Sequence, residues 1–225
     1  MSLTGGLSMS DHKMVRIVVE GPTEEKFIKQ IVAPHLLLSK GVQAIPVVLH
    51  GNVSFDRVRK DVINSLKGNV EAVSYFVDYY GLKDWPEKNS IQMNSTPQQI
   101  ADTLNNAAKR AICEEAGDEL DPVKRFIPFM AVHEFEALLF SDSAILAKEL
   151  GIEQTVVDEV LSQFNGNPEN INSSPETAPS KRLESWKENY KKTVDGIAIA
   201  DKIGLPAMRA KCPLFNAWLS AIEAL

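Results

Sequence analysis

The chain has 225 residues, of which 44% are hydrophobic and 24% charged, which is ordinary for a globular protein with one sizeable core and argues against disorder. Its formal net charge of −6 argues against strong unaided binding to nucleic acid, which requires a basic face. No apolar run approaches the roughly 18 residues of a membrane-spanning helix, so we expect no membrane partner.

The N-terminal stretch MSLTGGLSMS lacks both the basic and the apolar region of a signal peptide. We therefore expect residues 1–13 to be a disordered leader or an expression remnant, followed by a single domain over residues 14–225. The two cysteines, Cys113 and Cys212, lie far apart and lack metal-ligand spacing. Two free thiols fit a reducing compartment, which predicts a cytoplasmic protein.

Short apolar runs alternate with helical patterns in the first part of the chain. Strands are predicted over Val15–Val19 and Val42–His50, over a run that ends at Asp78, and over Arg125–Val132. Apolar residues at helical spacing predict helices after Thr23, over Ser54–Lys67 and over Pro97–Ala116. This alternation is typical of an α/β fold with a mostly parallel, doubly wound sheet and helices on both of its faces.

Two prolines modify this pattern. Pro34 is expected to kink or divide the first helix, because proline removes a backbone hydrogen bond inside a helix. Pro46 is expected to place the second strand at an edge or a bulge of the sheet. After His133 the pattern is almost wholly helical, and we expect the last third, about residues 141–225, to pack on the same sheet or to form a small lobe.

Carboxylates follow three of the predicted strands. Glu20 follows the first strand, Asp78 ends the third, Glu134 follows the fourth, and Glu24 joins them from the first turn of a helix. Because ligands collect at the carboxyl ends of strands in open α/β sheets, we expect these side chains to converge. Converging carboxylates repel one another, and Mg²⁺, Mn²⁺ or Ca²⁺ removes that repulsion. Helix caps and solvated charges are the alternative interpretation.

Two further segments contain candidate residues. In HEFEALLF, His133 and Glu136 share one face of the expected helix, and His133 is a candidate general base or ligand, or a hydrogen-bonded structural histidine. Lys181 and Arg182 open a basic cluster and are candidates for stabilising developing phosphoryl charge, with a solvated helix face as the alternative. HEFE is not the zinc-protease motif H-E-x-x-H, because the second histidine is missing. Both glycine-rich phosphate loops are absent from the sequence, which disfavours a dinucleotide or ATP binder.

At these residues the chain resembles Toprim domains. VVEGPTEEKF is similar to the first Toprim motif, in the E-G-x-T-E form of the overcoming-lysogenization-defect nucleases, and VSYFVDYYG is similar to the second motif. Later blocks in residues 131–142, 167–183 and 203–219 resemble a Toprim-like bacterial family catalogued as a domain of unknown function. The resemblance implies a Toprim-like (Rossmann-like) sheet and a Mg²⁺ (or Mn²⁺) site for phosphodiester cleavage or transfer.

The resemblance also implies roles for individual residues. Glu20 matches a metal ligand or general acid/base, Glu24 a candidate ligand for a second ion, and Asp78 a metal ligand. Tyr80 departs from the pattern, since many Toprim proteins have a second aspartate at its position. Glu134 or Glu136 is then the candidate replacement ligand, or the site holds one ion only.

We therefore expect a magnesium-dependent nuclease, a hydrolase that acts on DNA or RNA. The resemblance further implies a co-encoded ATPase partner and a role in phage defence. A catalytically weak Toprim-like regulatory or effector subunit is the alternative, which Tyr80 favours, and a small nucleotide or phosphate binder is a third interpretation. Monomer and homodimer both remain open.

Overall fold

The computed structural model describes residues 13–51, 53–171 and 176–225. The expected leader lies outside these residues except for Lys13, which is the first residue of a strand. Among the described residues, no helix combines the length and apolar character needed to cross a membrane.

Four parallel strands form one sheet, which confirms the predicted α/β fold. They are β1 (Lys13–Val19), β2 (Val42–Val48), β3 (Ala72–Asp78) and β4 (Phe126–Ala131), in the order β2-β1-β3-β4. Val19 pairs with both Val48 and Phe76, so the strands end together at one edge. Pro46 lies in an edge strand, as predicted, where a missing N–H is tolerated.

Helices connect and follow the strands. Their bounds are α1 (Pro22–Phe27), α2 (Ala33–Lys40), α3 (Phe55–Leu66), α4 (Pro97–Ala116), α5 (Pro122–Arg125), α6 (Ser143–Leu150), α7 (Gln154–Gln163), α8 (Pro179–Trp186), α9 (Ile197–Lys211) and α10 (Pro213–Glu223). Pro34 is the second residue of α2, and a π-helical turn over Ile28–Val32 separates α1 from α2. The backbone remains helical from α1 through this turn into α2, so the segment has a π-helical interruption just before Pro34 and is not divided into separate helices.

The sheet is buried on both faces because its apolar side chains alternate between two cores. On one face, Ile17 and Phe76 pack with residues of α1 and α2 and of the last third, among them Phe27. On the other face, Val18 and Tyr75 pack with residues of α3 and α4. Buried parallel strands require helices on both sides, which is the doubly wound arrangement.

The helical last third packs on the sheet. Phe215 and Trp218 of α10 contact Phe129 of β4, and the Trp218 indole N–H donates to Ser74 Oγ of β3 at 2.9 Å. Of the two arrangements expected for this segment, the described residues adopt the one on the sheet.

The α-helix predicted to start at His133 is wrong. The segment after His133 forms a 3₁₀ helix over Phe135–Ser141, not an α-helix. All seven of its residues are buried, so it has no exposed face of the kind that an amphipathic α-helix presents to solvent. Its first hydrogen bond runs from the Ala137 N–H to the Glu134 carbonyl, with the three-residue spacing of a 3₁₀ turn.

Candidate functional site

A pocket of about 540 Å³ opens at the carboxyl edge of the sheet. Four of the predicted acidic residues line it, together with one lysine: Glu20, Glu24, Asp78, Glu134 and Lys192. We call it the acidic pocket. The strand order explains the convergence, because β1 and β3 are neighbours and β4 lies beside β3. Ligands bind at this edge in open α/β sheets.

Glu20 lies directly after β1 and is partly buried. Burial raises its pKa, the neighbouring Glu24 carboxylate raises it further, and Lys192 lowers it. The loop after β3 lies against this carboxylate, since a Cβ atom added to Gly81 would stand 3.3 Å from Glu20 Oε2. Glycine at position 81 therefore leaves room for the Glu20 carboxylate.

Glu24 lies in the first turn of α1, where a carboxylate favours the helix dipole. Its Oε2 accepts a hydrogen bond from the Gly21 N–H at 3.2 Å, which directs the side chain back toward the strand end. The next residue, Glu25, does not line the pocket and instead pairs with Lys29 at 2.6 Å. The two adjacent glutamates thus have different environments.

Asp78 ends β3 and has a strongly perturbed carboxyl group. Burial raises the pKa of the Asp78 carboxyl to about 7. The Tyr80 N–H donates a hydrogen bond to Oδ1 at 2.8 Å, which acts in the opposite direction and lowers this pKa. The Glu134 and Glu20 carboxylates raise it further, and Lys192 lowers it. The group is poised between its charged and neutral forms near neutral pH, as is common in functional sites.

Glu134 contributes from the turn after β4. Its Oε2 accepts a hydrogen bond at 2.9 Å from the N–H of Ser180, in the first turn of α8. This contact fixes one oxygen at the N-terminus of a helix and leaves the carboxylate on the pocket wall.

Lys192 is the charged residue in this pocket to which the sequence analysis assigned no role. It begins a π-helical turn over Lys192–Gly196, and its Nζ lies 2.9 Å from Glu136 Oε2. The Lys26 ammonium donates to the Thr193 carbonyl at 3.2 Å, which ties this turn to α1. Lys192 belongs to a visible basic cluster in the sequence, but which of its lysines faces the strand ends depends on tertiary structure.

Glu136 lies behind Lys192 and does not line the acidic pocket. Its side chain is fully buried, and burial raises its pKa to about 7 although Lys192 lowers it. Burial lowers the pKa of Lys192, but attraction to Glu136 and Glu24 outweighs this and leaves it above its usual range. Glu136 therefore holds the ammonium group at the pocket wall.

His133 also lies beside the acidic pocket and not in its wall. It is buried, its ring stacks on that of Tyr80 with centroids 5.8 Å apart, and burial lowers its pKa to about 4. The imidazole is consequently neutral at physiological pH.

Lys181 and Arg182 do not line the acidic pocket. The Lys181 ammonium lies 2.7 Å from Glu184, and the Arg182 Nε donates to the Thr177 carbonyl at 2.9 Å. Their helix does reach the site, through the Ser180 N–H that contacts Glu134. Among the described residues, the basic side chain that lines the pocket is Lys192 and not either member of this pair.

The pocket suits a hard divalent cation in the type of its donors. Four carboxylates face one ammonium group, and their mutual repulsion contributes to the raised pKa of Glu20 and Asp78. Oxygen-only donors select Mg²⁺, Mn²⁺ or Ca²⁺ over zinc. Across residues 13–51, 53–171 and 176–225, no three His, Cys, Asp or Glu side chains are arranged as they stand to hold one ion together.

Comparisons with known proteins identify a family. A family model described as Domain of unknown function (DUF4276) matches residues 19–223, which include the whole acidic pocket. A search of curated proteins and a search of solved structures each find no match. The match extends over nearly all of the chain, from the end of β1 to the end of α10. The chain therefore belongs to the DUF4276 family.

Proposed function

We propose that this protein is a Mg²⁺-dependent phosphodiester-processing enzyme, a nuclease that acts on nucleic acid. The observation that carries the proposal is the acidic pocket, in which carboxylates from the ends of three strands and one helix face a single lysine. This composition fits a phosphoryl group that enters together with a cation. The resemblance of VVEGPTEEKF and VSYFVDYYG to Toprim motifs supports the same chemistry.

The carboxylates and the lysine of the pocket have different roles in this proposal. Glu20, Glu24 and Asp78 would hold the cation once their side chains draw together around it, with Glu134 as a further oxygen donor on the pocket wall. When bound, such a cation supplies Lewis acidity toward a phosphoryl oxygen. Lys192, which lines the same pocket, would stabilise the negative charge that develops on the phosphoryl oxygens.

A partner adds to the affinity for long nucleic acid in this proposal. The net charge of −6 gives the chain little long-range attraction to phosphates. The Toprim resemblance supports a co-encoded ATPase as this partner and phage defence as the setting.

A cleavage assay tests the proposal. Purified protein is incubated with plasmid DNA, single-stranded DNA and RNA in Mg²⁺ or Mn²⁺, alone and with the co-encoded ATPase. We expect metal-dependent cleavage that falls at least about a hundredfold in Glu20→Gln and remains in Glu25→Gln, whose side chain lies outside the pocket. No cleavage under any of these conditions contradicts the proposal.

A regulatory or effector subunit is the second candidate function. It is supported by Tyr80 at the position where many Toprim proteins have a second aspartate, and by the lack of a convergent ligand set in the described residues. This candidate predicts that a partner's activity changes on addition of the chain and that Glu20→Gln has the same effect as wild type. Loss of that effect in Glu20→Gln argues against it.

A further inference from the structure

A second depression lies next to the acidic pocket and differs from it in charge. It has a volume of about 390 Å³, and the residues that line it include Tyr79, Tyr80, Gln92, Met93, Ser95 and His133. We call it the aromatic groove. None of the described residues that line it is an aspartate, glutamate, lysine or arginine.

Tyr80 joins the two cavities, because it lines both. Its position is fixed relative to the carboxylates, since its N–H donates to Asp78 Oδ1 at 2.8 Å. Its ring is held by the edge of Tyr79 at 5.0 Å and by stacking against His133 at 5.8 Å. The residue is nevertheless 52% exposed, so a large part of its surface is available to a ligand.

The groove also presents exposed apolar surface beside polar groups. Met93 is fully exposed and lines the groove, and Gln92 and Ser95 add residues with hydrogen-bonding groups to the same lining. Exposed aromatic and thioether side chains next to neutral polar groups suit a flat, uncharged ligand with hydrogen-bonding edges. Among the described residues of the lining, no aspartate, glutamate, lysine or arginine is present to pair with a metal ion or a phosphate.

We propose that the aromatic groove is a nucleobase subsite, in which the base of an unpaired nucleotide stacks on Tyr80 while its phosphate lies in the acidic pocket. The inference rests on the proposed function and specifies its substrate class. Asp78 and Tyr80 are two residues apart, at most about 7 Å along an extended chain, so the two cavities adjoin on the scale of a single nucleotide. A base paired inside a duplex cannot stack on a protein ring, so the substrate is single-stranded or locally unpaired.

The stacking explains the residue at position 80. An aspartate there would place another negative charge beside Asp78 and would offer no flat surface. A tyrosine lacks the carboxylate that an aspartate would offer to the cation. It supplies an aromatic ring instead, and any base can stack on this ring because every base has a π-face. The subsite should therefore show little sequence preference.

Binding of two labelled probes tests the subsite. The probes are a fluorescein-labelled strand of eight thymidines and a strand of the same length made of abasic sugar-phosphate units, each titrated with protein in Ca²⁺ and followed by fluorescence anisotropy. We expect the thymidine strand to bind at least about fivefold more tightly than the abasic strand. Tyr80→Ala should bring the two affinities within about twofold, and Tyr80→Phe should preserve the difference, since the ring carries the stacking.

The controls separate this inference from the proposed function. Leu38→Ala removes another exposed apolar side chain outside both cavities and should leave the ratio of affinities unchanged. Equal affinity of the wild-type protein for both probes, no binding of either, or an unchanged ratio in Tyr80→Ala overturns the base subsite. A parallel Mn²⁺ titration of the wild-type protein reports on the acidic pocket alone: a protein that binds no Mn²⁺ overturns the proposed function instead.

Discussion

Replacing Lys192 by methionine should destabilise the protein by an amount that increases with pH. Glu136 is fully buried and paired with Lys192 at 2.9 Å, and its pKa is about 7 in the folded chain against an ordinary 4.5. Because the folded-state value is the higher one, the unfolded chain releases this proton first, and Glu136 opposes folding as pH rises from 4.5 to 7. With Lys192 in place, the free-energy cost of Glu136 to folding reaches a constant value of about 3 kcal/mol above pH 7.

Without Lys192 the buried carboxylate has lost its partner and keeps its proton to higher pH. The free-energy cost that Glu136 adds to folding then continues to grow above pH 7, by about 1.4 kcal/mol for each further pH unit. Lys192→Met should consequently cost little at pH 6 from this source, about 1 kcal/mol at pH 8 and about 3 kcal/mol at pH 9. The measurement is urea unfolding at these three pH values, with Lys191→Met as the control, because Lys191 is the exposed neighbour of Lys192.

The double variant Glu136→Gln/Lys192→Met decides the cause. An amide does not titrate, so the pH-dependent part of the loss should disappear in the Glu136→Gln background. A cost of Lys192→Met that is the same at pH 6 and pH 9, or that keeps its pH dependence in the Glu136→Gln background, would refute the assignment of Lys192 as the partner of a buried carboxylate.

Three further outcomes are expected. Glu24→Gln should weaken Mn²⁺ binding at least about tenfold in calorimetry while Glu25→Gln changes it less than twofold, and equal effects would contradict the different placement of the two side chains. Gly81→Ala should lower metal affinity or cleavage, since its Cβ would stand 3.3 Å from Glu20 Oε2, and unaltered values in both assays would contradict this. The folded-state pKa of His133, about 4, lies below its ordinary 6.5, so its contribution to stability is complete above pH 6.5 and is lost as pH falls toward 4. Urea unfolding of the wild type and of His133→Gln should show that the wild type loses up to about 3 kcal/mol more than the variant over this range. A difference in stability that stays constant with pH would contradict the lowered pKa.

The sheet is predictable from the sequence for local reasons. Runs of β-branched residues such as those in β1 and β2 predict strands, and the helical spacing between them predicts the crossovers of a parallel sheet. Pro46 indicates an edge strand because it lacks an N–H. The carboxyl ends of parallel strands share one edge, so the meeting of Glu20 and Asp78 follows from the same pattern.

The remaining features depend on tertiary contacts. Apolar residues in HEFEALLF fit an α-helix as well as a buried 3₁₀ segment, and only packing on both sides of Glu136 decides between them. Lys192 reaches the pocket because α9 and the turn before it fold back onto α1, a long-range arrangement that no local spacing records. Part of the loop before Lys181, residues 172–175, lies outside the described residues.

Mn²⁺ binding at the acidic pocket is the measurement on which the proposed chemistry depends. Isothermal titration of the wild-type protein at pH 7.5 should show saturable Mn²⁺ binding that Mg²⁺ competes for. Glu20→Gln and Asp78→Asn should each weaken it by at least about tenfold, while Glu25→Gln should bind as wild type does. A wild-type protein that binds no Mn²⁺, or equal affinity in wild type and Glu20→Gln, would contradict a metal site at these strand ends.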